Sequence, residues 1–395
     1  MFVYLDNSAT TKQYDAVTDK MVVYMKEDFG NPSSLHKLGL TAEKAVKNAR
    51  KNVAEAIGVR DDEIIFTSGG TEADNTALLG AASARKRRGK KIITSTIEHP
   101  AVLETASKLE NLGFTVEYLD VDENGSVNPE ALQEAMTEDT ILISVMGVNN
   151  EVGTIEPVKE MVQIKDKYNK EHGTDILFHM DGVQSFGKLS HMINGIDMIS
   201  VSGHKIHGPK GIGALYVRKG LMIEPYLIGG GQEKHMRSGT ENVPAIAGFG
   251  QAAKLTDDNL ECRIKNMSAA RNYLMEGIKA EIKDIKINSV EKDSFVWDSG
   301  MCCPSVLNIS FLGTRGEVLL HTLEQEEIYV STGSACSSNK KGQSHVLKAM
   351  GLKDKEIEGA IRFSFSEFNT IEEMDYVLGH LKDAVARFRR LGSFR

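Results

Sequence analysis

From about residue 63 the sequence alternates between short apolar runs and amphipathic stretches of helical spacing. EIIFTS (63–68), KIITST (91–96), TVEYLD (115–120), ILISVM (141–146), DILFHM (175–180), IDMISVSG (196–203) and GALYVR (213–218) have the length and composition of strands. TEADNTALLGAASARKRR (71–88), AVLETASKLENLG (101–113), PEALQEAM (129–136) and PVKEMVQIKDKYNKE (157–171) separate the first five and read as helices. A strand followed by a helix followed by a strand demands a crossover. Crossovers make neighbouring strands parallel and cover both faces of the sheet. The expected class is therefore α/β, with a mainly parallel seven-stranded sheet between helices.

Two helices precede this array, at 14–28 and 36–57. In the second, Leu40, Ala45, Ala49, Val53 and Ile57 share one face, and Gly58 ends it. After the glycine-rich GGGQEKHMRSGTENVP (229–244) a long helix is expected over 245–282, with the position of any break left open. Fewer strands follow: IKINSV, VLNISF, IYVS and IRFSF, then a closing helix over 371–390. This second part reads as a smaller α+β domain. The 395 residues exceed the usual size of one core. The expected division is 14–260 for a large domain, with 1–13 and 261–395 forming the small one.

Charge and apolar runs narrow the function. A net charge of −8 argues against a general nucleic-acid binder. No apolar run approaches the ~20 residues that span a bilayer, so no membrane role is expected. MFVYLDNSATT lacks the basic and apolar regions of a secretory signal, which points to the cytoplasm. The cysteines are Cys262, Cys302, Cys303 and Cys336, and their spacing matches no zinc motif. Cys262, Cys302 and Cys303 read as small apolar packing residues. Cys336 differs: STGSACSSNKKGQS (331–344) surrounds it with small, polar residues suited to a moving loop. The basic runs RKRRGKK (85–91) and ARFRRLGSFR (386–395) read as solvated helix ends, with docking of a partner as the alternative.

In parallel α/β sheets, ligands gather at the carboxyl ends of the strands. SGGTEADN follows the first strand: a Gly-Gly turn into a helix, with Thr71, suits a phosphate. By itself it is also an ordinary strand-to-helix turn. IEHPA brings His99, GVNNEVG brings Asn149 and Asn150, DGVQ brings Asp181 and Gln184, and GHKIHGPKG brings His204 and Lys205. Five successive strand ends thus offer an anion cradle, an imidazole, an amide, a carboxylate and a lysine. Pyridoxal 5'-phosphate needs that set: an amine for its aldehyde, an anion for its ring nitrogen, N–H and hydroxyl donors for its phosphate, and a flat partner for its ring.

At this point the sequence resembles the cysteine desulfurases, the NifS/IscS-like branch of the fold-type I, aspartate aminotransferase-like pyridoxal phosphate enzymes. The likeness runs through YLDNSATT, FGNPSSLH, FTSGGTEADN, EHPAV, NNEVGTIEP, DGVQSFGK, SGHKIHGPKG, GGGQEKHMRSGTEN, STGSACSS and IRFSF, in that order. The resemblance implies that Lys205 holds the cofactor, with Lys210 the competing lysine. It implies that Thr71, Ser202, His204 and the Gly70 backbone bind the phosphate. His99 would stack on the ring, Asp181 would face the pyridine nitrogen, and Gln184 would donate to the ring hydroxyl. Asn150 would lie near ring and substrate, and Arg362 would take the substrate carboxylate. Thr240 would reach the phosphate in the other subunit, which implies a homodimer with shared active sites. Cys336 would take sulfur from L-cysteine as a persulfide, with His99 accepting its proton, and L-alanine would leave.

The spacing from Cys336 to HVLKAMG matches the long-loop branch. SNKKGQSH departs from the family's usual SGSLEPSH-like segment, so the sulfur acceptor stays open between an iron–sulfur scaffold and a tRNA-thiolation enzyme. Selenocysteine lysis, transamination and a non-catalytic sulfur-carrier or assembly subunit are the alternatives on the same fold.

Overall fold

The computed structural model describes residues 1–190, 194–297, 299–332 and 343–392. Cys336 lies outside the described residues. The strands, in chain order, are β1 (Val3–Tyr4), β2 (Ile64–Thr67), β3 (Lys91–Ser95), β4 (Thr115–Leu119), β5 (Thr140–Met146), β6 (Leu177–Asp181), β7 (Met198–Ser202), β8 (Gly213–Val217), β9 (Ile285–Ile287), β10 (Val306–Phe311), β11 (Ile328–Tyr329) and β12 (Ala360–Ser364).

Strands β2 to β8 form one seven-stranded sheet in the order β2-β8-β7-β6-β5-β3-β4. The pairs β4/β3, β3/β5, β5/β6 and β6/β7 are parallel, as crossover helices require. β8 runs against both β7 and β2. Its direction has a local cause: residues 203–212 contain only a three-residue 3-10 turn, Gly203–Lys205, too short for a crossover.

Both faces of the sheet are buried. Ile92, Leu142, Leu177, Met198 and Leu215 pack on one side, whereas their successors Ile93, Ile143, Phe178 and Ile199, with Ala214 and Tyr216, pack on the other. That two-sided burial explains the continuous apolar runs, because successive strand residues point to opposite faces.

The helix Lys37–Ile57 ends at Gly58, whose φ of 88° is left-handed. Leu40 departs from the expected face and is exposed. The reason is the neighbouring helix, Val243–Asp258. A Cβ on its Gly250 would lie 2.4 Å from Ala49 Cα. Backbones this close need Ala42, Ala45 and Ala49 turned inward, which rotates Leu40 outward. The long helix expected over 245–282 is two, Val243–Asp258 and Leu260–Glu281, separated at Asn259.

A second apolar cluster joins Val3 and Leu5 to residues between Ile264 and Val385. Its sheet, β12-β10-β9, is antiparallel, and β1 pairs with β11. IKINSV contributes only Ile285–Ile287 as strand, while Ser289 turns in to donate to the Val152 carbonyl at 2.6 Å. Half of the basic run at 85–91 is taken up within the chain, while Lys86, Arg87 and Lys90 are exposed, as expected for a solvated helix end. Arg85 and Arg88 both reach Asp175, and Lys91 reaches Glu117 and the Ala135 carbonyl. Among the described residues no helix is long and apolar enough to cross a membrane.

β8 begins where three backbones crowd. A Cβ on Gly213 would fall 2.5 Å from the Val201 carbonyl oxygen and 2.8 Å from Gly69 Cα. Rigid backbone on two sides cannot give way, so Gly213→Ala should lower unfolding free energy by about 1–3 kcal/mol. A chemical-denaturation midpoint equal to wild type would show that the strand ends can part there.

Candidate active site

The turn after β2 and the end of β7 are neighbours. Gly69 precedes the helix Gly70–Arg85 with φ 156° and ψ −177°, a region open to glycine. A Cβ on Gly70 would strike Val183 Cγ2 at 2.6 Å and lie 3.8 Å from Ser202 Cβ. The Ser202 hydroxyl is buried with no hydrogen-bond partner. Thr71 is exposed at the helix start, where the first N–H groups have no partners within the helix. The unpartnered Ser202 hydroxyl thus lies beside the first turn of this helix, at a position where any side chain in place of Gly70 would strike Val183.

Lys205 sits in the turn after β7. Its Nζ donates to the carbonyls of Ser8 at 2.5 Å and Ala9 at 2.8 Å. Lys210 is exposed, whereas Lys205 is half-buried. Thr11 braces the same turn, since its N–H and hydroxyl both donate to the His204 carbonyl at 3.0 Å. His204 Nδ1 lies 3.2 Å from the Thr10 hydroxyl, and burial pushes this imidazole down to about 4, so it is neutral near pH 7.

Asp181 closes β6 and accepts the Val183 N–H at 2.9 Å. Burial raises its pKa, while His99, that N–H and Lys205 oppose the rise. His99 is the N-cap of the helix Pro100–Asn111, and its Nδ1 accepts the Ala101 N–H at 3.1 Å. That bond assigns the neutral ring's proton to Nε2. Burial lowers the pKa of His99, Asp181 opposes this, and Lys205 and His345 reinforce it. Protonating the ring would also sacrifice the cap.

Gln184 donates from Nε2 to the Ser8 carbonyl at 3.0 Å, the same oxygen that receives Lys205. Asn149 is spent on structure, accepting the N–H groups of Glu151 and Val152 and donating to the Ile97 carbonyl. Asn150 stays half-buried, and its carbonyl accepts Arg362 Nη1 at 2.9 Å. Arg362 is buried, pairs with Asp6 through Nη2 at 2.8 Å, and keeps a buried Nε without a partner. Thr240 is exposed on a loop that two ion pairs fasten down, Arg50–Glu233 at 2.6 Å and Arg237–Glu72 at 2.9 Å.

Several participants escaped the sequence reading. Asp6, Ser8 and Ala9 act through backbone or from a distant chain position. Asp74, fully buried with one oxygen unpartnered, is raised well above the ordinary range by burial and then by Asp181. Glu98 accepts the Ser95 hydroxyl at 2.6 Å and the Met146 N–H at 3.0 Å, and burial pushes it up to about 8. His179, two residues before Asp181 on the same face of β6, lies 2.9 Å from the hydroxyls of both Ser144 and Ser200 and is pushed down to about 3 by burial. The only available signal was position: Glu98 precedes His99, and His179 shares a strand face with Asp181.

The residues present fit pyridoxal phosphate. The unpartnered Ser202 hydroxyl and the Gly69–Gly70 turn suit its phosphate, the buried Asp181 its ring nitrogen, and the Lys205 amine its aldehyde. What fold and strand ends define together is a pyridoxal phosphate enzyme of fold type I. Within that class, the chain belongs to the aminotransferase class-V family, whose model matches residues 3–377. It is 42% identical over 395 residues to a protein of Dictyoglomus turgidum named cysteine desulfurase IscS, covering all of this chain and 97% of that one. A protein of Methanosarcina thermophila with the same name is 44% identical over 391 residues, covering 98% and 93%. A solved structure described as a NifS-like protein superposes with a TM-score of 0.89 at 40% identity, covering 98% of this chain and all of the other.

Glu98 gives a pH test. Its folded pKa of about 8 lies above the ordinary value of about 4.3, so the folded state binds more protons between them. The associated stability is fully present below the lower value and is lost as pH rises through the upper one. Glu98→Gln keeps the acceptor oxygen and removes the titration. From pH 5 to pH 8 its unfolding free energy should fall less than that of wild type, by roughly 1–3 kcal/mol. Parallel stability–pH curves would mean that Glu98 is ionised in the fold.

Proposed function

We propose that the protein is a pyridoxal phosphate-dependent cysteine desulfurase that converts L-cysteine to L-alanine and carries the released sulfur on Cys336 as a persulfide. The observation that carries this is the meeting of Lys205, Asp181 and His99 at three strand ends, in a chain alike over its whole length to proteins named cysteine desulfurase. When bound, the cofactor supplies an aldehyde that links to amines and a ring that takes up electrons from the substrate Cα.

The chain's own residues do the rest. Gly70, Thr71, Ser202 and His204 would hold the phosphate, and neutral His204 avoids adding a third cation beside Lys205 and Lys210. Asp181 would favour a protonated ring nitrogen. His99 would offer its flat face to the ring, and Gln184 and Asn150 would supply polar groups to the cofactor and substrate. Arg362, pre-set by Asp6 and the Asn150 carbonyl, takes the substrate carboxylate. Lys205 Nζ removes the Cα proton. The Cys336 thiolate then attacks the substrate sulfur: an S–S bond forms and the C–S bond breaks. Protons returned to the former Cβ and Cα give L-alanine. An unassisted thiol has a pKa of about 8.5, so Cys336 needs a nearby base or cation. A role for His99 as that base would place the proton on Nδ1 at the expense of its cap.

The exposed apolar side chains Phe29, Leu35, Leu40 and Ile228 support a homodimer, in which Thr240 would serve the partner's site. Cytoplasmic sulfur delivery to an iron–sulfur scaffold or a tRNA-thiolation enzyme follows from the same reading. So does the division into a large domain (14–260) and a small one (1–13 with 261–395).

With L-cysteine and a reductant, the cofactor-loaded protein should release sulfide and alanine in equal amounts. Cys336→Ala should lose both, by on the order of 10²-fold or more, while retaining cofactor. A variant at full rate would remove Cys336 from the sulfur route, and bound cofactor without sulfide from wild type would favour transamination. Arg362→Lys should raise KM for L-cysteine roughly tenfold or more, because an ammonium cannot fork onto a carboxylate. An unchanged KM would reassign the carboxylate site.

A further inference from the structure

The turn that follows β6 contains a buried cation that the proposed chemistry does not use. Lys188 is only 4% exposed, and its Nζ donates to Gln184 Oε1 at 2.6 Å. An ammonium is a donor only, so it settles which end of the Gln184 amide is oxygen. Nε2 must then face the other way, where it meets the Ser8 carbonyl at 3.0 Å. The same carbonyl accepts Lys205 Nζ at 2.5 Å. One line of contacts thus runs from Lys188 through the Gln184 amide and the Ser8 carbonyl to the reactive lysine. Nε2 has a second N–H, which is left for the cofactor's ring hydroxyl.

We infer that Lys188 is a positioning residue: it locks the Gln184 amide with its N–H groups toward Ser8 and the cofactor hydroxyl, and so tunes the proton affinity of the Lys205–cofactor linkage. This rests on the pyridoxal phosphate reading of the site. Burying a lysine is unfavourable unless its charge or its hydrogen bond is needed. Burial pushes Lys188 down to about 8; Cys303 and Glu367 counter this, and Arg263 and Arg362 add to it. Arg263 is itself paired to Glu367 at 2.8 Å and bound to the Gly187 carbonyl, so the Glu367 carboxylate is already engaged. Among the described residues, the direct partner left to Lys188 is Gln184. With Oε1 released, the amide loses the contact that fixes its oxygen end, and only the acceptors on the other side, the Ser8 carbonyl and the ring hydroxyl, would hold Nε2 toward them.

The test is the pH titration of visible absorption in the resting, cofactor-loaded protein, for wild type, Lys188→Met, Gln184→Leu and the double variant. A donor on the ring oxygen makes that oxygen less able to hold the linkage proton, so losing the donor raises the linkage pKa. Lys188→Met should raise it by on the order of one pH unit, a tenfold change in proton affinity, and Gln184→Leu should do the same. In the double variant the two shifts should not add. If Lys188→Met does not accumulate as folded protein, Lys188→Gln takes its place. It keeps an N–H donor without the charge, and should leave the linkage pKa within a few tenths of a unit of wild type. An unchanged pKa in loaded Lys188→Met overturns the inference. So do additive shifts, which would indicate a charge acting directly through space, and so does a full-unit shift in Lys188→Gln. Wild type that takes up no pyridoxal phosphate would overturn the cofactor reading itself.

Discussion

Two backbone carbonyls hold the reactive amine, and the arrangement of the molecule depends on them. Ser8 and Ala9 belong to a segment anchored on both sides. Val3 and Leu5 are sealed in the second apolar cluster, while Thr11 is bonded to the His204 carbonyl. Lys205 therefore links the carboxyl end of β7 in the seven-stranded sheet to a segment rooted in the cluster that also holds Ile361 and Phe363 of β12. An ammonium donating to two carbonyls at 2.5 and 2.8 Å is fixed in direction as well as in charge. Gln184 shares the Ser8 oxygen, so the amine and the amide are positioned against one acceptor.

Around that anchor the interior is tuned by desolvation rather than by abundant ion pairs. Burial drives Asp74 and Glu98 toward their neutral forms and holds His179 and His204 unprotonated. Asp181 is raised by burial too, but His99, the Val183 N–H and Lys205 all oppose the rise. A buried carboxyl with a lysine close by suits a ring nitrogen that must keep its proton in a water-poor pocket.

The seven strand runs were legible because a sheet covered on both faces leaves a continuous apolar signature. Asp181, Lys205 and His99 stood out as candidates because they follow such runs at the strand ends, where ligands gather in parallel sheets. Leu40 misled, because its helical face was judged from one helix alone, and the approach of Gly250 to Ala49 set the rotation. The break within the helical stretch 245–282 could not be located, because an asparagine is compatible with either continuation or a break. Lys188 closes the quoted DGVQSFGK, but no role could be read for it there, since its direct partner among the described residues is an amide four residues earlier in a non-helical turn.

By itself the sequence determined the succession of elements, the chemical types at the strand ends and the antiparallel return of β8, which a linker of ten residues compels. These are local properties, carried by periodicity and by the reach of short chain segments. Only the tertiary structure decided that residues 8 and 9 hold Lys205, that Asp6 orients Arg362, and that Asp74 and Glu98 lie close enough to Asp181 to be felt. Those contacts join positions about 80 to more than 350 residues apart. Their partners are often backbone atoms that every residue possesses, so no side-chain pattern in the sequence could announce them.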